Sequence, residues 1–307
     1  MNKILIFFLL LINSIVLEAK PIKQISLLDE NIRIDGLVYW DENKPNLYRL
    51  PKSKKLLFSK AIWRLGTMPS GGVISFRTDS SDISLKLDNP QASQSTNLTR
   101  IAKIGIDLYV NNKFKGNFVP NKKGIMDYSI SFNENKINDI KLYLPLYEKI
   151  KIDAILLNKG AKVLTPKEYT KKLPIVFYGS SITQGSSASN PGLSFPAMLS
   201  RKLDVEMVNL GFSGKGLAQA EIIKLIKNIK ASMFIIDFWA NPNPKLYKQR
   251  LQLLIKAIRD KDAVVPIVVT SPIYNIGREK ENYEKYNISK QAVQKFQKGG
   301  GCEYIFS

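Results

Sequence analysis

From about residue 20 to 165, short runs of alternating apolar and polar positions predict β-strands bounded by turn residues. "GVISFRTDSSDISLKLD" (72–88) alternates on both sides of an Asp-Ser-Ser-Asp turn, a hairpin pattern. "IGIDLYVNNKFKGNFV" (104–119) repeats it around Asn111-Asn112, and residues 127–145 and 149–163 continue it. Short strands at this spacing, with no helical segment expected among them, predict an antiparallel β-sandwich.

After the polar linker "LTPKEYTKKLP" (164–174) the rhythm changes. "PIVFYGSS", "VEMVNLG", "SMFIIDFW", "VVPIVVTS" and "CEYIFS" are short and apolar on both faces. Between them lie helical patterns, such as "LAQAEIIKLIKNIK", which gathers Ile222, Ile223, Leu225, Ile226 and Ile229 on one side. Strands of this kind alternating with helices predict a parallel sheet covered by helices, an α/β/α domain. The division is residues 1–19, a sandwich over 20–165, and the α/β domain from 173 to 307.

The first 19 residues stand apart. "MNK" supplies a positive charge, "ILIFFLLLINSIVL" is apolar, and Ala19 is a small residue suited to cleavage. This is the pattern of a secretory signal peptide, too short to span a bilayer. The mature chain is expected to begin near Lys20, exported to a periplasm or to the medium, with no stable membrane insertion after cleavage. No cysteine lies near the cleavage point, so a lipoprotein signal is not expected.

Cys302 is the only cysteine and histidine is absent, so an intrachain disulfide is excluded and a metal centre would need carboxylates alone. No metal and no cofactor are expected. The net charge of +20 points to a polyanion partner or a lysine-rich surface. Lysine is spread through every region, and the clustered Arg forks and aromatic platforms of nucleic-acid readers are missing. Nucleic acid is therefore set aside, and attraction to acidic glycans fits an exported protein better.

In an open parallel sheet, function gathers beyond the carboxyl ends of the strands. Three turns rich in small polar residues fall there: "GSSITQG" (179–185), "NLGFSGKG" (209–216) and "DFWANPN" (237–243). Ser181 offers a hydroxyl, while the Gly214 N–H and the Asn241 side-chain amide are donors suited to an oxyanion. Other phosphate and nucleophile motifs fit poorly. The glycines after the second strand read G-x-x-G-x-G where a dinucleotide fingerprint needs G-x-G-x-x-G. A P-loop needs Gly-Lys-Ser/Thr, and the α/β-hydrolase elbow needs Gly where Thr183 stands.

These blocks, in this order, resemble the first three blocks of the SGNH (GDSL-like) hydrolases. The form G-x-S-I at 179–182 is similar to the exported carbohydrate esterases of that family. "YRLPKS", "SGGVISFRTDSSDI" and "GIDLYV" resemble the jelly-roll domain that precedes their catalytic domain. The resemblance implies a flavodoxin-like α/β/α fold and hydrolysis of acyl groups, O-acetyl foremost, on a glycan. It implies Ser181 as nucleophile, with its own N–H, Gly214 and Asn241 as the oxyanion hole. Ser180 stands where many relatives carry Asp. The family's fourth block, Asp-x-x-His, has no counterpart in a chain without histidine. The expectation is a chain cut short before that block, with Asp237 a poor stand-in as an exposed, weak base. The alternative is a non-catalytic, glycan-binding relative.

Overall fold

The computed structural model describes residues 22–87, 98–121, 128–132 and 136–297, and the backbone of the strand Glu303–Phe306. The signal-peptide reading falls on residues outside this set. Among the described residues no helix is long and apolar enough to cross a membrane.

The N-terminal half holds two antiparallel sheets, one of four strands and one of six. Their inner faces share one core, to which Ile83, Leu85 and Ile155 contribute from the first sheet and Ile74, Phe76, Leu108 and Leu142 from the second. The "VNNK" hairpin forms as the pattern predicts: Asn111 and Asn112 take φ of 50° and 62°, the paired left-handed geometry of a tight hairpin turn. The "TDSSD" segment does not form a hairpin. Val73–Thr78 pairs in the six-stranded sheet, and Asp82–Leu87 pairs with Ile152–Asn158 in the other. The turn crosses between sheets because Asn158 Oδ1 accepts the N–H groups of Ser81 and Asp82, at 3.0 and 3.1 Å. That side chain ties the crossing to the far sheet.

The C-terminal half is a parallel sheet of five strands: Ile175–Gly179, Met207–Gly211, Met233–Asp237, Ile267–Thr270 and Glu303–Phe306. In space they run second, first, third, fourth, fifth, the flavodoxin-like order. The order reverses beside the first strand, so the first, second and third turns are neighbours. Val176, Tyr178, Val208, Leu210, Phe234 and Ile236 pack on one face against the helices Ala220–Ile226 and Pro244–Arg259. Ile175, Phe177 and Met207 pack on the other face against Phe195 and Leu199.

The first half also contains helix, contrary to its strand-like pattern. Lys60–Gly66 is a helix capped by the Ser59 side chain, and Leu50, Phe58, Ile62 and Leu65 lie in the core of the parallel sheet. The guanidinium of Arg49 explains how this segment is held. It is 1 % exposed and donates to the carbonyls of Met68, Leu65, Asn209 and Gly211 at 2.7–3.0 Å. The last two carbonyls belong to the second parallel strand, at the sheet edge, so Arg49 occupies acceptors that the sheet leaves open. Burial lowers its pKa to about 9, still high enough to keep the charge at neutral pH.

Candidate active site

Ser181 opens the short helix Ser181–Gln184, which starts two residues after the first parallel strand ends. Ser180 is the N-cap, and its Oγ accepts the Ile182 N–H at 3.2 Å. A carboxylate could fill the same capping role, so Asp at this position would cap the helix as Ser180 does. Gly179 cannot carry a side chain: a Cβ there would sit 1.7 Å from Thr183 Oγ1. Ser181 is partly exposed, and among the described residues its hydroxyl is not held in a hydrogen bond.

The other two turns are fastened around it. The Phe212 N–H donates to the Gly179 carbonyl at 3.0 Å, and the Ser213 N–H donates to Gln184 Oε1 at 2.9 Å. Gly214 follows, exposed, with φ of +65°. Asn241 Oδ1 accepts the Gly216 N–H at 3.0 Å, which fixes the amide plane and leaves its NH2 group free to point elsewhere. A Cβ at Gly216 would lie 2.4 Å from the Gly179 carbonyl, so close approach of the first two turns requires glycine. Ser181, Gly214 and Asn241 thus sit on three turns bonded to one another at one rim.

Asp237 ends the third parallel strand beneath this rim. It accepts Thr183 Oγ1–H at 2.7 Å, Thr270 Oγ1–H at 2.6 Å and Trp239 Nε1–H at 3.0 Å. It is 6 % exposed, and burial raises its pKa against the lowering effect of those donors. The expectation of an exposed carboxylate is therefore corrected. Asp237 is a buried tie between strand ends, with its oxygens already occupied, and it is no substitute base for a different reason from the one anticipated.

The sandwich reaches the same place. Tyr147, in the loop between strands Asn138–Tyr143 and Ile152–Asn158, donates its hydroxyl to the Ser181 carbonyl at 3.2 Å and lies against Ser186 and Ser213. Beside it the Leu146 carbonyl accepts Gln184 Nε2–H at 3.0 Å, and Gln184 is the residue that holds Ser213. Further along, Asp107 accepts the Gly192 N–H at 2.7 Å and the Asn190 side-chain N–H. The guanidinium of Arg201 lies 4.3 Å from the Tyr109 ring centroid.

Residues 171–300 match the GDSL-like Lipase/Acylhydrolase family, and residues 23–163 match the N-terminus of Esterase_SGNH_hydro-type, a model named for G-x-D-L-Y, which stands here at 105–109. The two matches place the chain among the SGNH (GDSL-like) hydrolases. A structure described as a GDSL-like lipase, from Bacteroides ovatus, is 28 % identical, with a TM-score of 0.82 over 94 % of this chain and 88 % of that one. A salicylyl-acyltransferase from a tetracycline biosynthetic pathway is 17 % identical, with a TM-score of 0.77 over 92 % and 85 %. A family two carbohydrate esterase from Cellvibrio japonicus is 11 % identical, with a TM-score of 0.63 over 94 % and 89 %. The last two show the shared fold. No match was found among curated proteins.

Within this SGNH frame, three residues that tie distant elements together were not singled out from the sequence. Arg49 stands alone among apolar neighbours in "YRLP", a pattern that suggests burial but names no partner. Asp107 is the only charge in the apolar run "IGIDLYV", and a charge there needs a buried partner. Tyr147 carries no signal in "PLYEK", because its role depends on a contact across the two halves.

Proposed function

We propose that this SGNH chain is a serine-dependent ester hydrolase that removes acyl groups, O-acetyl foremost, from carbohydrates outside the cytoplasm. Ser181 Oγ attacks the ester carbonyl carbon, and the negative charge that develops on the carbonyl oxygen faces the N–H groups of Ser181, Gly214 and Asn241. Collapse expels the sugar hydroxyl, and water then releases the acyl group from Ser181. The observation that carries this reading is the fastening of the two donor turns around a partly exposed Ser181 whose hydroxyl has no hydrogen-bond partner among the described residues. The sandwich, through Leu146 and Tyr147, supplies one wall of the cleft and helps select a polymer.

The proton of Ser181 must go to a base, and the 307 residues contain no histidine. That favours a second reading, a glycan-binding protein that keeps the fold without turnover. Hydrolysis of 4-nitrophenyl acetate and of acetylated xylan separates the two, measured on this chain, on Ser181→Ala, and on a chain extended by an Asp-x-x-His segment. On the esterase reading, the extended chain turns over both esters and Ser181→Ala abolishes the gain. This chain alone should show only the residual effect of donors and binding, about 10³–10⁴ over water. An extended chain that binds acetylated xylan without hydrolysing it supports the second reading.

A further inference from the structure

We propose that the rim takes an anionic glycan, one whose repeating sugars carry carboxylate or sulfate groups beside the acyl ester. The proposal rests on reading the rim as the site and names its substrate class. Across 179–190, 212–219 and 238–245 the site turns carry two charged side chains, Lys215 and Lys245, and no exposed carboxylate. Both lysines are exposed, and among the described residues neither ammonium has a hydrogen-bond or ion-pair partner. Lys215 follows Gly214 directly.

Lys245 occupies the first turn of the 16-residue helix Pro244–Arg259, where no acidic residue stands. A cation at a helix N-terminus opposes the helix dipole, so this placement adds positive potential where the fold alone gains nothing from it. Of the carboxylates nearby, Glu221 in the first turn of the helix Ala220–Ile226 offsets part of it, and the others do not. Asp237 is buried and occupied by three donors. Glu148, beside Tyr147, is half-buried, with its pKa raised by burial, and it faces Lys103 and Arg64. A cleft lined by one sign of charge concentrates ligands of the other. A neutral glycan would gain nothing from this arrangement, whereas an anionic one is drawn to the rim that holds Ser181.

The test uses the Ser181→Ala chain, so binding is read without chemistry. Electrophoretic retardation is measured in gels containing polygalacturonate, dextran sulfate, neutral xylan or single-stranded DNA. Polygalacturonate or dextran sulfate should retard the protein, xylan should not, and whichever of the two binds identifies the charged group. The Lys215→Ala/Lys245→Ala double variant should weaken that binding roughly fivefold, the size of two exposed charge contacts. Lys230→Ala/Lys261→Ala, lysines at the opposite end of the sheet and of the same helix, should change it little. Equal loss in both double variants would overturn the proposal, since binding would then follow overall charge. Equal retardation by xylan would overturn it, and so would DNA bound as tightly and lost with Lys215 and Lys245. Absence of Ser181-dependent ester turnover would remove the esterase reading while leaving the binding result to stand.

Discussion

Two buried carboxylates sit in similar shells and hold different things together. Asp107, in the sandwich strand Ile106–Val110, accepts Asn117 Nδ2–H at 2.6 Å, the Gly192 N–H at 2.7 Å and the Asn190 side chain. Asp237 accepts two threonine hydroxyls and an indole N–H. Burial raises the pKa of both, and donated hydrogen bonds work against it. The difference lies in where the donors come from. Two of the Asp107 donors belong to the other half of the chain, so Asp107 fixes one half against the other. All three Asp237 donors come from the α/β half, Thr270 at a strand end and Thr183 and Trp239 just beyond one, so Asp237 fixes the rim within one half. The donors also differ in freedom: a backbone N–H cannot turn to a new acceptor, while a threonine hydroxyl can rotate.

That difference predicts unequal costs. Asp107→Ala leaves the buried Gly192 N–H and two side-chain amides without their acceptor, and is expected to cost about 3 kcal/mol. Asp237→Ala should cost less, about 1–2 kcal/mol, because only the Trp239 N–H is left without an easy alternative. Urea unfolding of the two variants checks the ranking. An Asp107→Ala chain as stable as Asp237→Ala would mean that the contact between halves is not holding them.

The parallel sheet was legible because its signal is local. Five apolar runs separated by helical patterns fix strand number, direction and the rim at which the polar turns lie. The site turns were legible for the same reason, since strand-end position follows from chain order. What joins elements distant in sequence was not legible. Ser75 to Leu85 alternate as a hairpin would, yet Asn158, more than seventy residues on, draws the second strand into the other sheet. Lys60–Gly66 falls within the half whose pattern predicts strands, and its place in the α/β core depends on Arg49 reaching the carbonyls of residues 209 and 211. Tyr147 is the extreme case, a residue of the sandwich whose hydroxyl meets the backbone of Ser181.

The pH dependence sharpens the same comparison at a smaller scale. A carboxyl group with a raised folded-state pKa contributes stability that is present below its ordinary value and lost as pH rises through the raised value. Asp107, Asp237, Glu206 and Glu148 all shift upward, chiefly by burial. Their contribution to stability should therefore rise as pH falls from neutrality toward the ordinary carboxylate range. Asp237→Asn removes one titrating group and should flatten that slope. Melting temperatures at pH 7 and pH 5 for both chains measure it. An unchanged slope in Asp237→Asn would assign the effect to the other raised carboxyl groups, Asp107, Glu206 and Glu148.

Tyr147 offers the smallest effect on stability and the sharpest question about how the halves cooperate. Its hydroxyl donates one hydrogen bond of 3.2 Å at a partly exposed position, to a carbonyl that already accepts the Gly185 and Ser186 N–H groups, and it also lies against the Ser186 and Ser213 side chains. Tyr147→Phe keeps the ring and its packing, so the loss should stay within about 1 kcal/mol. Asp107→Ala acts on the relation between halves as a whole, whereas Tyr147→Phe acts only where the sandwich touches the nucleophile turn. If that touch positions Ser181, kcat on a small ester in the Asp-x-x-His-extended chain should fall several-fold while KM stays near its original value. Phe removes the positioning bond, and the binding wall remains. A change confined to KM, or a drop in melting temperature as large as that of Asp107→Ala, would show instead that Tyr147 serves only as packing between the halves.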